Sequence, residues 1–255
     1  VNSLVQPDTR PRTVISKAGT LVFIRGINLN PGENPEDMVS LRMWIEGNRL
    51  ITVRQRPMLS LQDIRSELRS DEGPTSIPDL VVTIISKIAD RISDYVDTIE
   101  EQLGGLETPV QLHHEKDSRT RISAIRREIA GVRRYLAPQR DALDALYSHS
   151  ITSMPEGYAY RLREQMDRMI RYLVALDLIP KRTLVLQEEW MNMSMEQKIS
   201  RMHALCIVAL IFLPITFVTG IFGLNVAGLL GIENPNAFIV VTGFMFVTSV
   251  SVIGF

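Results

Sequence analysis

The sequence predicts an α/β domain, then a long stalk helix that continues into the first of two membrane-spanning helices. Three observations carry this. The first 57 or so residues hold short β-branched runs, and the residues after them turn to amphipathic helical periodicity. A helical pattern then runs from about Tyr158 to about Phe222 without a clear stop. Two uncharged apolar runs close the chain, Ala204 to Leu224 and Ala237 to Phe255, each about the length that a bilayer core requires.

The strands come first. Val14 to Ser16 and Leu21 to Ile27 are β-branched runs, and Val39 to Ile45 and Leu50 to Val53 flank Gly47-Asn48, a hairpin turn signal. Asn30-Pro31-Gly32-Glu33-Asn34-Pro35 is a loop by composition. Its acids, Glu33, Glu36 and Asp37, read as solvated side chains in preference to a cation site.

Helices follow. A short amphipathic one is predicted from Ser60 or Leu61 to Leu68, and a longer one from Pro78 to Leu103, with Ile84, Ile88, Ile92, Val96 and Ile99 at helical spacing and Gly104-Gly105 as its stop. The next runs from Leu112 to Leu136, and Pro138 opens another to Tyr147. Asp90, Asp94, Asp97 and Glu101 line one face of the second helix, and Arg119, Arg126 and Arg133 one face of the third, joined by Arg127 and Arg134. We read this as an antiparallel hairpin laced by exposed ion pairs, each contributing about 0–1 kcal/mol, in preference to an acidic surface that concentrates cations.

Pro155-Glu156-Gly157 breaks the chain again. The stalk pattern beyond it would span roughly 95–100 Å at the α-helical rise, more than a globular helix reaches but suited to a rod from cytosol into membrane. Pro180 is expected to kink or split it. The predicted domains are therefore residues 1–155 (α/β), 156–201 (stalk), 202–224 (first span), 225–236 (connecting loop) and 237–255 (second span).

Charge is distributed unevenly. The net charge is only -1, but from Met202 to Phe255 Glu233 is the sole Asp, Glu, Lys or Arg. No basic excess of the nucleic-acid-binding kind is present, so nucleic acid is not an expected partner. Cys206 is the only cysteine, which excludes an internal disulfide framework and fits a reducing, cytosolic setting for the polar part. The residues at the start do not read as a signal peptide, and none is expected. It begins at Val1 and stops at Phe255 inside an apolar run, and we expect both ends to be truncated. Lys198 and Arg201 precede the first span and the connecting loop has no positive charge. The positive-inside rule then puts the large amino-terminal domain in the cytoplasm and Glu233 outside. Two buried helices of a soluble protein are the competing reading.

The first span carries a stripe. Met202, Leu205, Ala209, Leu213, Thr216 and Gly220 recur at steps of three or four, and the stripe extends back to Met195 and Glu188. Small and polar members permit close helix approach, or leave a lumen where several helices ring an axis. One span offers too little polar surface to make a pathway alone.

The stripe ends in Phe212-Leu213-Pro214-Ile215-Thr216-Phe217-Val218-Thr219-Gly220-Ile221-Phe222-Gly223-Leu224-Asn225. This run resembles the end of the pore helix in CorA-type divalent-cation transporters, whose signature is Gly-x-Asn after an apolar helix with Leu-Pro and Thr-Gly. The segment Arg25 to Arg56 and the run Asn225-Val226-Ala227-Gly228-Leu229 look more like the zinc-transporting ZntB branch. Magnesium-type members usually have Met where Leu224 stands and an aromatic residue where Val226 stands.

The resemblance implies a bacterial inner-membrane homopentamer. Its first spans ring a central pore, its second spans lie outside, and its cytosolic domains, each a mixed sheet with helices in α/β/α arrangement, form a funnel. By matching positions it implies Gly223, Leu224 and Asn225 as the outer filter, Gly220 and Thr216 as upper pore lining, and Leu213, Leu205 and Met202 as an apolar constriction. Ala209 and Met195 continue the lining, Glu188 marks the inner mouth, and Glu233 attracts cations to the entrance. The cargo implied is Zn2+, with proton-coupled uptake a property of that branch. Mg2+, Co2+ or Ni2+ stay open as cargo, as do import against export and the proton carrier. No tightly bound cofactor is implied.

Zinc directs attention to His and Cys. His113-His114 are adjacent, which suits joint ligation on a helix poorly. His203 and Cys206 are three apart on the first span, a candidate transient site that competes with plain packing or lipid contact. Neither GxSxG, HExxH, a P-loop nor GxGxxG occurs, so no residues nominate an enzyme active site. A membrane-anchored sensor or scaffold is the remaining rival to a transporter.

Overall fold

The computed structural model describes residues 10–107, 115–153, 156–223 and 236–253. The chain divides into two compact units, Val1–Gln187 and Glu188–Phe255. Strands β1 (Arg12–Ser16), β2 (Gly19–Gly26), β3 (Val39–Glu46) and β4 (Arg49–Arg54) are followed by helices α1 (Leu59–Arg69), α2 (Ile77–Glu107), α3 (Glu115–Ser153), α4 (Glu156–Gly223) and α5 (Ala237–Ile253).

The sheet has the order β1-β2-β3-β4. The predicted sheet packed with helices is present, and among the described strands every pairing is antiparallel. The reason is local, because two-residue turns join β1 to β2 and β3 to β4, and such turns connect only antiparallel neighbours. At Gly47-Asn48 the register closes on Glu46 opposite Arg49, with positive φ at Gly47 (52°) and not at Asn48. That is the glycine-first turn whose twist matches the flanking strands. Gly19 is required for space, since a Cβ there would meet the Ile45 carbonyl oxygen and the Trp44 ring. Residues 20–26 of β2 are all buried, so both faces of this central strand are covered, with α2 and α3 packed against it.

The apolar stripe predicted on α2 is the core: Ile84, Ile88, Ile92, Val96 and Ile99 are all buried. Gly104-Gly105 does not stop this helix, which runs on to Glu107. Leu103 and Leu106 are both fully buried, and that burial outweighs a glycine penalty of about 1 kcal/mol each. Likewise Pro138 does not divide α3, which is one helix from Glu115 to Ser153. Tyr135 and Leu136 before the proline and Ala142, Leu143 and Leu146 after it all point into the core, so continuing the helix keeps both halves buried. The predicted start at Leu112 lies outside the described residues. Pro180 does not split α4; Leu176 and Ile179 before it and Thr183 after it are fully buried, and Thr183 Oγ1 donates to the Pro180 carbonyl at 2.7 Å.

The charged stripes find a different partner from the one predicted. Asp90 accepts from Arg168 at 2.6 Å and Arg133 pairs with Asp177 at 2.5 Å, both on α4. Asp79 pairs with Arg161, and Glu107 with Arg182 at 2.7 Å. The α2 and α4 partners rise together in sequence, so these helices run parallel. Arg126 meets Gln187 and Arg133 meets Asp177, so α3 runs antiparallel to α4. Asp90 of the acidic stripe and Arg126 and Arg133 of the basic one therefore reach the first part of α4, and the Tyr95 hydroxyl on Glu128 at 3.2 Å links α2 to α3.

Candidate functional site

The second unit holds the rest of α4 and α5. Among the described residues, one helix is long and apolar enough to cross a membrane, and it is α4; its most apolar stretch is wholly unburied within the chain. In α5 the apolar stretch is shorter, Phe238–Val247. The helical state follows from sequence: backbone polar groups bonded within one segment are what an apolar run needs in lipid. The hydroxyls obey the same rule. Thr219 Oγ1 donates to the carbonyls of Ile215 at 2.9 Å and Thr216 at 3.1 Å, and Thr242 Oγ1 to that of Phe238 at 2.8 Å.

All the predicted lining residues from Glu188 to Gly220 lie on α4, and every one is exposed. Met195, Met202, Leu205 and Leu213 are 64%, 61%, 70% and 72% exposed. The residues that are half-buried form another face: Ile211, Pro214, Ile215 and Val218, again at steps of three, one and three. Counting 100° per residue, the stripe's mean direction lies roughly 170° from this face. On α5 the half-buried residues are Val241 and Met245, one turn apart. Thus the stripe lies on a side of the span that its own unit leaves bare, as it also leaves Ile207, Val208, Leu210, Phe212 and Phe217.

Gly223 is the last residue of α4. Leu224, Asn225 and Glu233 lie outside the described residues, as do His113 and His114. His203 and Cys206 are both exposed on α4, the cysteine as a free thiol. Among the described residues no group of three or more His, Cys, Asp and Glu is placed to hold a metal ion.

Sequence reasoning missed one polar feature of the first unit. Arg25 and Arg42 are buried, 7% and 1% exposed. The signal was available: each interrupts an otherwise apolar strand, where a charge is rarely buried without partners.

Comparison with known proteins bears on what this arrangement does. A family model described as CorA-like Mg2+ transporter protein matches residues 1–255. The chain is 36% identical to the divalent cation transporter CmaX of Pseudomonas aeruginosa over 237 residues, which make up 92% of this chain and 71% of that protein. It is 32% identical to the zinc transport protein ZntB of Pectobacterium carotovorum over 237 residues, 93% of this chain and 72% of that one. The solved structure of full-length CmaX matches with a TM-score of 0.80 at 34% identity, covering 98% of this chain and 80% of that one.

Proposed function

The chain belongs to the CorA-like Mg2+ transporter family, and from this we propose that five copies of it carry divalent cations through a conduit lined by the bare stripe of α4. It is a divalent-cation transporter and not an enzyme. The observation that supports the conduit is the position of the stripe. Glu188, Met195, Met202, Leu205, Ala209, Leu213, Thr216 and Gly220 are all exposed, and the last three lie away from the half-buried Ile211, Pro214, Ile215 and Val218, so copies can meet there without displacing existing packing.

A divalent cation holds its water tightly, and a protein seldom offers enough charge to strip it. A ring of five Asn225 amide oxygens would bind the hydrated ion by its water shell and discriminate by size and charge. Gly223 and Leu224 shape the chain's path into that ring, Gly223 because it permits backbone turns closed to other residues. Gly220 and Thr216 continue the lining below it. Rings of Leu213, Leu205 and Met202 form an apolar constriction that closes by dewetting and opens when widened. Glu188 offers carboxylates at the inner mouth, and five copies of Glu233 raise cation concentration at the outer one. The amino-terminal domain then lies in the cytoplasm of a bacterial inner-membrane protein, in keeping with Lys198 and Arg201 beside the span.

Zn2+ is the cargo that we favour, with uptake driven by protons; Mg2+, Co2+ and Ni2+ are the competing cargoes. His203 and Cys206 are the only nitrogen and sulfur donors of the imidazole or thiol kind in the first span, and a borderline cation would meet them only in passing. Purified protein in liposomes tests the reading. Flux of Zn2+ and Mg2+, with and without a pH gradient, gives the cargo and the coupling. Asn225→Ala should abolish flux of either ion; flux at the parental rate would remove the filter, and no flux from the parental chain would remove the conduit.

A further inference from the structure

Glu36 lies near the end of the loop between β2 and β3, and its side chain is laid against α3. A Cβ at Gly131 would come within 2.6 Å of the Glu36 Cβ and 3.1 Å of its Cγ, so the helix admits this side chain only because residue 131 has none of its own. The loop is tied by its own backbone: the Asn28 N–H donates to the Pro35 carbonyl at 3.4 Å, and the Asp37 N–H to the Asn34 carbonyl at 3.1 Å. Against the expectation of a solvated acid, Glu36 Oε2 is shielded from solvent and has no hydrogen-bond partner among the described residues. An acceptor in that state has lost its water without replacement, which is costly for a neutral oxygen and more so for a charged one.

Three residues back along α3 from Gly131, and so on the same side of the helix, is Glu128. Its Oε2 accepts from the Tyr95 hydroxyl of α2 at 3.2 Å. Burial raises the Glu128 carboxyl above its ordinary 4.5; the Glu36 charge raises it further, and the Tyr95 bond opposes the rise. The Tyr95 hydroxyl is itself raised, by burial first and then by Glu128 and Glu36, so it remains a donor and is already engaged by Glu128. The groups that face Glu128 are thus Tyr95 from α2 and Glu36 from the loop. Of the loop's other acids, Glu33 pairs with Arg56 at 2.8 Å and Asp37 is exposed. Among the described residues no Lys, Arg or His pairs with Glu36 or Glu128.

We propose that Glu36 and Glu128 form a proton-operated latch, in which a proton held between the two carboxyls seats the β2–β3 loop on α3 and its loss releases the loop. The proton supplies the donor that Glu36 Oε2 lacks. When it leaves, two carboxylates share a partly buried contact with no cation between them, and like charges so placed repel. The seated state is therefore favoured while Glu128 is protonated and is lost as pH rises through that carboxyl's raised value. Gly131 is a positioning residue, because it sets how closely Glu36 approaches α3. The latch regulates the first unit alone and does not depend on the conduit.

The test uses the full chain purified in detergent and follows amide hydrogen exchange over Asn28 to Asp37, corrected at each pH for the intrinsic rate. It reads the loop and not flux, so its failure leaves the conduit standing. Between about pH 4.5 and about pH 8 the parent's protection should fall about tenfold, the effect of a one-unit pKa difference between seated and released states. Glu128→Gln keeps a donor toward Glu36, and Glu36→Gln removes one of the two charges; each should hold the low-pH protection across the range. Asp37→Asn changes the exposed acid next in sequence and should keep the parent's pH dependence. Gly131→Ala displaces Glu36 and should leave the loop as open at low pH as the parent's is at high pH. The latch is overturned if the parent's protection does not change with pH, if either Gln variant titrates as the parent does, if Asp37→Asn abolishes the change, or if Gly131→Ala keeps the low-pH protection.

Discussion

Arg182 grips Glu107 with two nitrogens, Nε at 3.0 Å and Nη2 at 2.7 Å, and so fastens α4 to the last residue of α2. The geometry is good, yet both side chains are more than a third exposed or close to it, 42% and 35%. Exposed pairs of this kind contribute about 0–1 kcal/mol. Glu107→Ala and Arg182→Ala should therefore each lower the melting temperature by only a few degrees, and the double variant by little more than either. A double-mutant cycle from melts in detergent checks this; a coupling above about 2 kcal/mol would mean that the pair is far less screened than its exposure indicates.

Glu128 should make the first unit sensitive to rising pH. Its carboxyl is raised above the ordinary 4.5 by burial first, with the Glu36 charge adding to the rise and the Tyr95 hydroxyl bond opposing it. A carboxyl raised on folding favours the folded state while it is protonated. That contribution is fully present below 4.5 and is lost as pH rises through the raised value. Melts from pH 4 upward should show this loss, and Glu128→Gln should flatten it. Tyr95→Phe removes the contact that lowers the carboxyl and should move the loss to higher pH.

Two glycines should respond to the same substitution with opposite sign. A Cβ at Gly19 would strike the Ile45 carbonyl and lie 2.9 Å from a carbon of the Trp44 ring, so Gly19→Ala should destabilise by about 1–3 kcal/mol. A Cβ at Gly104 meets nothing within 4 Å, and the residue is inside a helix. Gly104→Ala should stabilise by about 0.5–1 kcal/mol. Thermal melts of the two variants decide both; equal shifts of the same sign would contradict the packing at Gly19.

If the apolar rings close the conduit by excluding water, a polar side chain in one of them should hold it open. Leu213→Ser should raise resting flux in liposomes severalfold, and Met202→Ser should do so as well, whereas Phe212→Ser, one residue off the stripe, should not. Equal leak from all three would place the constriction elsewhere.

Much of the fold was legible before any coordinates. The Gly47-Asn48 hairpin, the α2 core stripe and the long run of α4 depend on neighbours within a few residues, and short-range patterns report those. The mistakes share one cause. Gly104-Gly105 and Pro138 are local stop signals, and burial of Leu103, Leu106, Leu136 and Leu143 by distant parts of the chain overrode them. The spacing placed Asp90 on one face of α2 and Arg133 on one face of α3, but a face does not name its partner, and for these two it was α4, 78 residues on from Asp90 in the case of Arg168.

By itself the sequence determined that the chain carries two apolar runs, that a stripe of small, polar and flexible residues marks one of them, and that its end resembles a known transporter signature. These are properties of contiguous residues, and lipid as solvent acts on contiguous length. Only the tertiary structure decided which few residues of that span are half-buried, that Asp90 and Arg133 meet α4, and that Arg25, Ser40, Arg56 and Tyr135 stand around one cavity. Those relations depend on distances between residues far apart in the chain, which are set when the sheet and the three helices pack together and not before.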